Sequence, residues 1–163
     1  MGAGRPDFRL ATEDDLPVVQ GIVRAAYRHY IARIGRMPVP MQDDYAALIA
    51  AGRVWVAELA GAVRGILVLI PRGDAMLLDN IAVAPDAQGR GLGRRMLEFA
   101  EAAALQAGYG AIRLYTNEAM TENIRLYTRA GYAEETHRAE EKGLRRVYMR
   151  KGLARPGAGQ STA

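Results

Sequence analysis

Cysteine is absent from the 163-residue sequence, which excludes disulfides, thiolate zinc sites and cysteine nucleophiles. The only histidines, His29 and His137, are far apart, so the sequence predicts no metal site. No apolar run approaches the ~18 residues needed to cross a bilayer, and residues 1–7 lack the apolar segment of a secretory signal. We therefore expect a cytoplasmic protein with no membrane partner.

Lysine is scarce as well, because Lys142 and Lys151 are the only two, and the net charge of +4 comes from arginine. The arginines are scattered, with no block of five or six and no interleaved aromatic residues, so we expect no nucleic-acid partner. A modest positive charge still suits a phosphorylated cofactor.

Half of the residues are apolar and a quarter are charged, a composition typical of one globular domain, which we expect over residues 1–153. Residues 154–163 have little to bury and are predicted to be a disordered tail. Thr12 and Asp15 form a capping-box variant, and an apolar stripe from Leu16 to Ile34 follows at helical spacing. The remaining patterns predict helices at 43–51, 92–107 and 121–130, and strands at 7–11, 53–59, 63–70, 76–83, 111–116, 132–138 and 144–151.

This order of elements predicts an α/β (α+β) fold with a mixed sheet and helices on its faces. Its most informative segment joins the strand at 76–83 to the following helix. Val83-Ala-Pro85 ends the strand, and Gln88-Gly-Arg-Gly-Leu-Gly93 opens the helix. Glycines let a ligand approach the backbone, and the first turn of a helix offers unpaired amides that suit a diphosphate.

Two other phosphate motifs do not fit this segment. A P-loop needs Gly-Lys-Ser/Thr, which is missing, and the dinucleotide fingerprint needs G-x-G-x-x-G, whereas the glycines here run G-x-G-x-G. A purely structural glycine turn stays open as the alternative.

The segment resembles the signature of the GCN5-related N-acetyltransferases (GNAT), V-x-P followed by Q/R-x-x-G-x-G/A at a helix start. The resemblance spans residues 8–153 and implies a mixed, mostly antiparallel central sheet with a V-shaped splay between its two central strands. It also implies that acetyl-CoA is the acyl donor. The CoA contacts implied are Ile81, Ala82, Val83, Gln88, Gly89, Arg90, Gly91, Leu92, Gly93, Arg94, Asn117, Asn123 and Tyr127.

Tyr127 lies in a second stretch that resembles the family, Leu126-Tyr127 followed by Gly131-Tyr132. In relatives, this tyrosine protonates the departing thiolate, and a phenol of pKa ~10 is suited to that role. Periodicity alone would instead make Tyr127 a core aromatic. Met120 occupies a position where relatives usually carry asparagine, so Asn117 and Asn123 are the substitutes expected to contact CoA.

The proton acceptor for the amine follows no family motif. Asp79 on the central strand and Glu118 after the next strand are the best candidates, and water or an acceptor amine of low pKa are the alternatives. Asp79 could equally make a strand-end hydrogen bond, and Glu118 could be a solvated loop charge.

The resemblance places the acceptor pocket around the loop between the first two helices, where aromatic, Met and charged residues cluster. They could bind an amine or only pack against the core. The candidate substrate-binding residues are Tyr27, Tyr30, Arg33, Met41 and Tyr45.

The sequence therefore predicts an N-acetyltransferase that moves an acetyl group from acetyl-CoA directly to an amine of a small molecule or peptide. The alternative is a non-catalytic CoA-binding regulatory module on the same fold. Members of the family often pair through sheet edges, so a homodimer is compatible with the resemblance.

Overall fold

The computed structural model describes residues 4–135, 138–139 and 145–154, with 138–139 described by their backbone alone. Residues 155–163 of the predicted tail and the turn of the final hairpin lie outside these residues. The helices are α1 (Leu16–Tyr27), α2 (Tyr30–Ile34), α3 (Tyr45–Ala50), α4 (Leu92–Gln106) and α5 (Thr121–Arg129). The strands are β1 (Asp7–Leu10), β2 (Val54–Leu59), β3 (Ala62–Arg72), β4 (Ala75–Val83), β5 (Ala111–Asn117), β6 (Ala133–Glu134), β7 (Arg138–Ala139) and β8 (Arg145–Gly152).

Among the described residues the strands follow the hydrogen-bonded order β1-β2-β3-β4-β5-β8-β6, and β7 pairs with β8. The pairing of β4 with β5 is parallel, whereas β1–β2, β2–β3 and the pairs made by β8 are antiparallel. The predicted mixed α/β fold is confirmed. The splay between the two central strands stays a prediction.

The predicted cap is present at the 3-10 turn Glu13–Asp15, which leads directly into α1. The Thr12 amide donates to the Asp15 carboxylate at 2.7 Å, and the Asp15 amide donates to the Thr12 carbonyl at 2.9 Å. The stripe from Leu16 to Ile34 is divided between two helices, because the Ile31 amide bonds the Arg28 carbonyl, three residues back, at 3.1 Å. This tighter turn shifts the helical phase and leaves Ile31 37% exposed.

The chain forms two compact units. The first contains the residues up to Leu69 together with Asp79–Leu97. Within it, β2 and β3 form the predicted hairpin, and the start of α4 packs on β3. A Cβ at Gly65 would lie 2.6 Å from the Met96 Sδ atom, so the Met96 side chain packs directly over Gly65 and would have to shift for any larger residue.

The second unit contains Ile70–Leu78 and the chain from Glu98 onward. Its sheet pairs Met76–Leu78 of β4 with β5 in parallel, and β5 with β8 along seven antiparallel pairs. Side chains of β5 and β8 alternate between buried and half-buried positions, which gives this sheet one core face. The core face includes Ile112, Leu114 and Met149, each at most 1% exposed.

Candidate active site

The first unit contains the strand–turn–helix segment singled out in the sequence. At the end of β4, the Ala84 amide donates to the Arg64 carbonyl at 2.7 Å, and Pro85–Ala87 form a 3-10 turn. The side-chain amide of Gln88 then donates back to the Val83 carbonyl at 3.0 Å. This bond closes the turn and fixes the path by which the backbone leaves the strand.

Residues 88–91, here called the donor turn, are exposed, and two of them need glycine. Gly89 has a φ of 77° and Gly91 a φ of 80°, which side chains other than glycine rarely adopt. A Cβ at either position would meet nothing within 4 Å. The glycines are therefore required by the backbone conformation, and the space beside them is open.

Helix α4 follows this turn directly, since the Arg95 amide donates to the Gly91 carbonyl at 3.2 Å. The amides of a helix's first turn have no acceptor within the helix, and the helix dipole places partial positive charge there. Exposed Arg90, Arg94 and Arg95 add formal charge. Open space, amide donors and positive charge together fit a diphosphate group such as that of CoA.

The acceptor-side candidates also lie in the first unit. Tyr27, Tyr30 and Tyr45 are buried, with 6%, 5% and 3% of their surface exposed. The rings of Tyr27 and Tyr30 have centroids 6.3 Å apart, and the guanidinium of exposed Arg33 lies 5.0 Å from the Tyr30 ring centroid. Met41 is half-buried in the 3-10 turn Val39–Gln42.

Asn80 joins two of these tyrosines, and sequence reasoning missed it. The Tyr27 hydroxyl lies 2.6 Å from the Asn80 Oδ1 atom, and the Asn80 Nδ2 group donates to the Tyr45 hydroxyl at 2.9 Å. The Tyr45 hydroxyl donates in turn to the Pro40 carbonyl. A polar residue that follows Asp79 inside an otherwise apolar strand was the available signal.

The predicted base Asp79 is half-buried on β4, and the structure adds a second carboxylate, Asp43, which the sequence analysis did not select. Burial, followed by the negative charge of Asp79, raises the pKa of Asp43 from 3.8 to about 6. Two carboxylates in one electrostatic environment can attract an ammonium group and accept its proton.

Tyr127 belongs to the second unit, on α5, and is 4% exposed. Its ring meets the ring of Tyr132 edge-on, with centroids 6.0 Å apart. The end of this helix is held by Lys151, whose ammonium group donates to the Ala130 carbonyl at 2.8 Å and to Glu101 at 2.7 Å. Tyr127 is thus a packed aromatic at a fixed position, as the periodicity predicted.

The other candidates of the second unit surround the start of α5. Glu118 is exposed, and its amide donates to the Arg145 carbonyl at 3.1 Å. The Asn117 side chain accepts from the Ala119 amide at 2.8 Å, and that of Asn123 donates to the Met120 sulfur at 3.7 Å. Both asparagines therefore make local bonds, and their contacts with CoA stay predictions, as do the roles of Tyr127 and Glu118.

Within the part of the chain that the structure describes, no group of three or more His, Cys, Asp or Glu residues could hold a metal ion. In the same residues no helix combines the length and apolar character required to span a bilayer.

Known proteins resemble this chain most clearly in structure. The ribosomal-protein-S18-alanine N-acetyltransferase of Escherichia coli has a TM-score of 0.73 at 22% identity, over 95% of this chain and 98% of that one. The protein yncA of Salmonella typhimurium, solved with its cofactor acetyl-CoA, has a TM-score of 0.72 at 19% identity, over 97% of this chain and 99% of that one. PaiA N-acetyltransferase of Thermoplasma acidophilum, solved with coenzyme A, has a TM-score of 0.77 at 15% identity, over 92% and 100%.

At these identities the structural likeness shows the fold alone. A comparison with curated proteins gives no match. The family model for the acetyltransferase (GNAT) domain matches residues 50–134, more than half of the chain, and includes the donor turn and Tyr127. The chain therefore belongs to the GNAT acetyltransferase family.

Proposed function

We propose that this protein is an acetyl-CoA-dependent N-acetyltransferase that acts directly on an amine, without a covalent enzyme intermediate. The observation that carries the proposal is the donor turn, with positive φ at Gly89 and Gly91 and open space where a Cβ would lie. Amides there and in the first turn of α4 bind the diphosphate of CoA. The end of β4, from Ile81 to Val83, pairs with the pantetheine arm.

Acetyl-CoA supplies a thioester, whose carbonyl carbon forms a bond to the amine nitrogen as its bond to sulfur breaks. Tyr127 donates its phenolic proton to the departing sulfur. Its burial at 4% exposure and its packing against Tyr132 hold the ring in one orientation. The proton lost by the amine balances the one that Tyr127 gives up.

Asp79 is the stronger candidate for accepting that proton. It lies in the same unit as the donor turn and beside Asp43, whose pKa is raised to about 6. Asp43, as a neighbouring carboxyl of raised pKa, is suited to receive that proton in turn. Glu118, by contrast, is exposed and belongs to the second unit.

The acceptor amine binds beside the loop that joins α2 to α3, with Tyr27, Tyr30, Arg33, Met41 and Tyr45 contributing to its pocket or supporting it. The E. coli enzyme is named for an alanine of ribosomal protein S18, which makes a peptide that begins with alanine the first amine to test. Free amino acids, polyamines and amine antibiotics complete the panel.

Thiol release from acetyl-CoA, measured across this amine panel, tests the proposal. We expect saturable turnover with at least one amine, and Tyr127→Phe should lower kcat about 100-fold with little change in the KM for acetyl-CoA. Tyr109→Phe is the matched control, because half-buried Tyr109 lies between α4 and β5 and has no role in the proposed mechanism.

Acetyl-CoA binding without turnover of any amine, together with an unchanged Tyr127→Phe variant, would instead identify a CoA-binding regulatory module. Calorimetry that detects no acetyl-CoA binding would refute both functions.

A further inference from the structure

Asn80 links segments of the first unit that are distant in the sequence. Its neighbours in the hydrogen-bond chain are Tyr27 on α1, 53 residues away, and Tyr45 at the start of α3, 35 residues away. The side chain of Asn80 is buried, with 4% of the residue exposed. All of these bonds are made away from water, where a lost partner is costly to replace.

The chain of bonds has a direction. Asn80 donates from Nδ2 to the Tyr45 hydroxyl, so that hydroxyl is left to donate its single proton to the Pro40 carbonyl. On the other side, the Tyr27 hydroxyl has one proton, which it shares between the Asn80 Oδ1 atom at 2.6 Å and the Ile81 carbonyl at 3.0 Å. An amide can both accept from Tyr27 and donate to Tyr45, whereas a carboxylate of the same shape can only accept and would reverse one bond.

We propose that Asn80 is a positioning residue that holds the Pro40 loop and the Ile81 peptide in one fixed arrangement through the two tyrosine hydroxyls. The inference rests on the proposed function, in which the loop lines the acceptor pocket and Ile81 begins the segment that pairs with the pantetheine arm. The buried amide of Asn80 then fixes the position of the acceptor loop relative to the donor strand.

The two arms of this network separate in their effects. The Tyr45 arm ends on the loop that carries Met41, whose amide donates to the Pro38 carbonyl at 3.0 Å. The Tyr27 arm ends on the Ile81 carbonyl, on the donor strand. A role limited to packing would predict that loss of either hydroxyl lowers stability and leaves both KM values alike.

The experiment compares Tyr45→Phe, Tyr27→Phe and Asn80→Asp with wild type, using acetyl-CoA and the panel amine of highest kcat/KM. Tyr45→Phe should raise the KM for the amine about tenfold and leave that for acetyl-CoA within about twofold, because the Pro40 carbonyl loses its donor. Tyr27→Phe should show the opposite split, because it keeps the ring that supports the acceptor pocket and removes only the hydroxyl at the Ile81 carbonyl. Asn80→Asp should resemble Tyr45→Phe, since the Tyr45 hydroxyl would turn from Pro40 to the new carboxylate.

Hydrogen exchange at the Met41 amide gives a second readout that requires no substrate. Exchange should be faster in Tyr45→Phe and Asn80→Asp, and unchanged in Tyr27→Phe and in the control Tyr109→Phe. Unchanged Met41 exchange in Tyr45→Phe, or equal rises of both KM values in Tyr45→Phe and Tyr27→Phe, would overturn the proposal. A wild-type protein that acetylates no panel amine would refute the proposed function, and the exchange rates would still decide whether Asn80 holds the loop.

Discussion

The donor turn and the acceptor side of the first unit are built in different ways. The donor turn is an exposed backbone structure, in which Gly89 and Gly91 provide conformations with positive φ and open space. The acceptor side is made of buried side chains, with Asn80 between Tyr27 and Tyr45. A site made of backbone groups should tolerate side-chain changes that keep its conformation, whereas a side-chain network should respond to single atoms.

The largest effect is expected where a side chain is forced onto the donor turn. Gly91→Val places a β-branched residue at a φ of 80°, and its Cβ enters the open space in which the diphosphate would lie. We expect the Kd for acetyl-CoA, measured by calorimetry, to rise at least about 100-fold, since strain and exclusion of the ligand act together.

Gly61→Val is the matched control, because Gly61 has the same φ of 80° in the β2–β3 turn and also faces open space. Both variants should lose roughly 1–2 kcal/mol of stability, and only Gly91→Val should lose cofactor affinity. Similar affinities in the two variants would place CoA binding away from the donor turn.

Asp15 precedes α1, the helix that carries Tyr27. A change at Asp15 therefore tests whether the acceptor side depends on single side chains. Asp15 accepts two bonds from Arg9, at 2.7 and 2.9 Å, which lower the pKa of its carboxyl to about 2. Asp15→Asn should lower the free energy of unfolding by about 2 kcal/mol at pH 7, as measured by urea denaturation.

The lowered pKa of Asp15 also predicts how this loss of stability depends on pH. A lowered native pKa stabilises the folded state above pH ~4, and this stabilisation disappears as the pH falls toward 2. The difference between wild type and Asp15→Asn should shrink over that range. Asp14→Asn, at an exposed neighbouring position, should be as stable as wild type. An equal loss of stability in Asp14→Asn would contradict the stabilising role of Asp15.

The contribution of Asp43 to stability should depend on pH in the opposite direction. Its native pKa of about 6 exceeds the ordinary value of 3.8, so the folded state binds more protons than the unfolded state and loses stability as the pH rises from about 4 to 6. Asp43→Asn should therefore be more stable than wild type above pH 6, by about 1 kcal/mol after allowance for its partial exposure. Thermal unfolding from pH 4 to 8 measures this difference.

Asp86→Asn, at an exposed carboxyl on the donor side, serves as the comparison and should leave the stability close to that of wild type. If the stability gained by Asp43→Asn did not increase between pH 4 and 6, the burial of Asp43, and with it the effect of the Asp79 charge, would be contradicted.

The smallest effect is expected from a side chain of the donor turn. Arg90→Ala should weaken acetyl-CoA binding only about two- to fivefold, because an exposed charge is screened by water and salt while the backbone amides remain. The effect should fade at high salt, and Arg72→Ala, at an exposed position at the end of β3, should have none. A loss near that of Gly91→Val would mean that side chains dominate the donor turn.

The sequence predicted the secondary structure well where the signals are local. Glycine after α4, the capping residues Thr12 and Asp15, and the alternating strands all act within a few residues, and the elements are observed within one to three residues of the predicted bounds over most of the described chain. The stripe over 16–34 was less informative, since helical periodicity does not reveal a single tightened turn at Arg28.

In the candidate site, too, the residues with local sequence signals were the ones that could be predicted. Gly89, Gly91 and Pro85 could be identified because a turn with positive φ demands particular residues wherever it occurs. The roles of Asn80 and Asp43 could not be predicted, because they depend on partners that are remote in the sequence. Asn80 bonds Tyr27 and Tyr45, and Asp43 is affected by the charge of Asp79.

The amino-acid sequence by itself determined the donor turn and the order of helices and strands, since both depend on backbone conformations that neighbouring residues specify. Only the tertiary structure decided which buried polar groups meet. Hydrogen bonds such as that between Tyr27 and Asn80 join residues 53 positions apart, and the register of strands and helices, rather than any local preference, brings them within 2.6 Å.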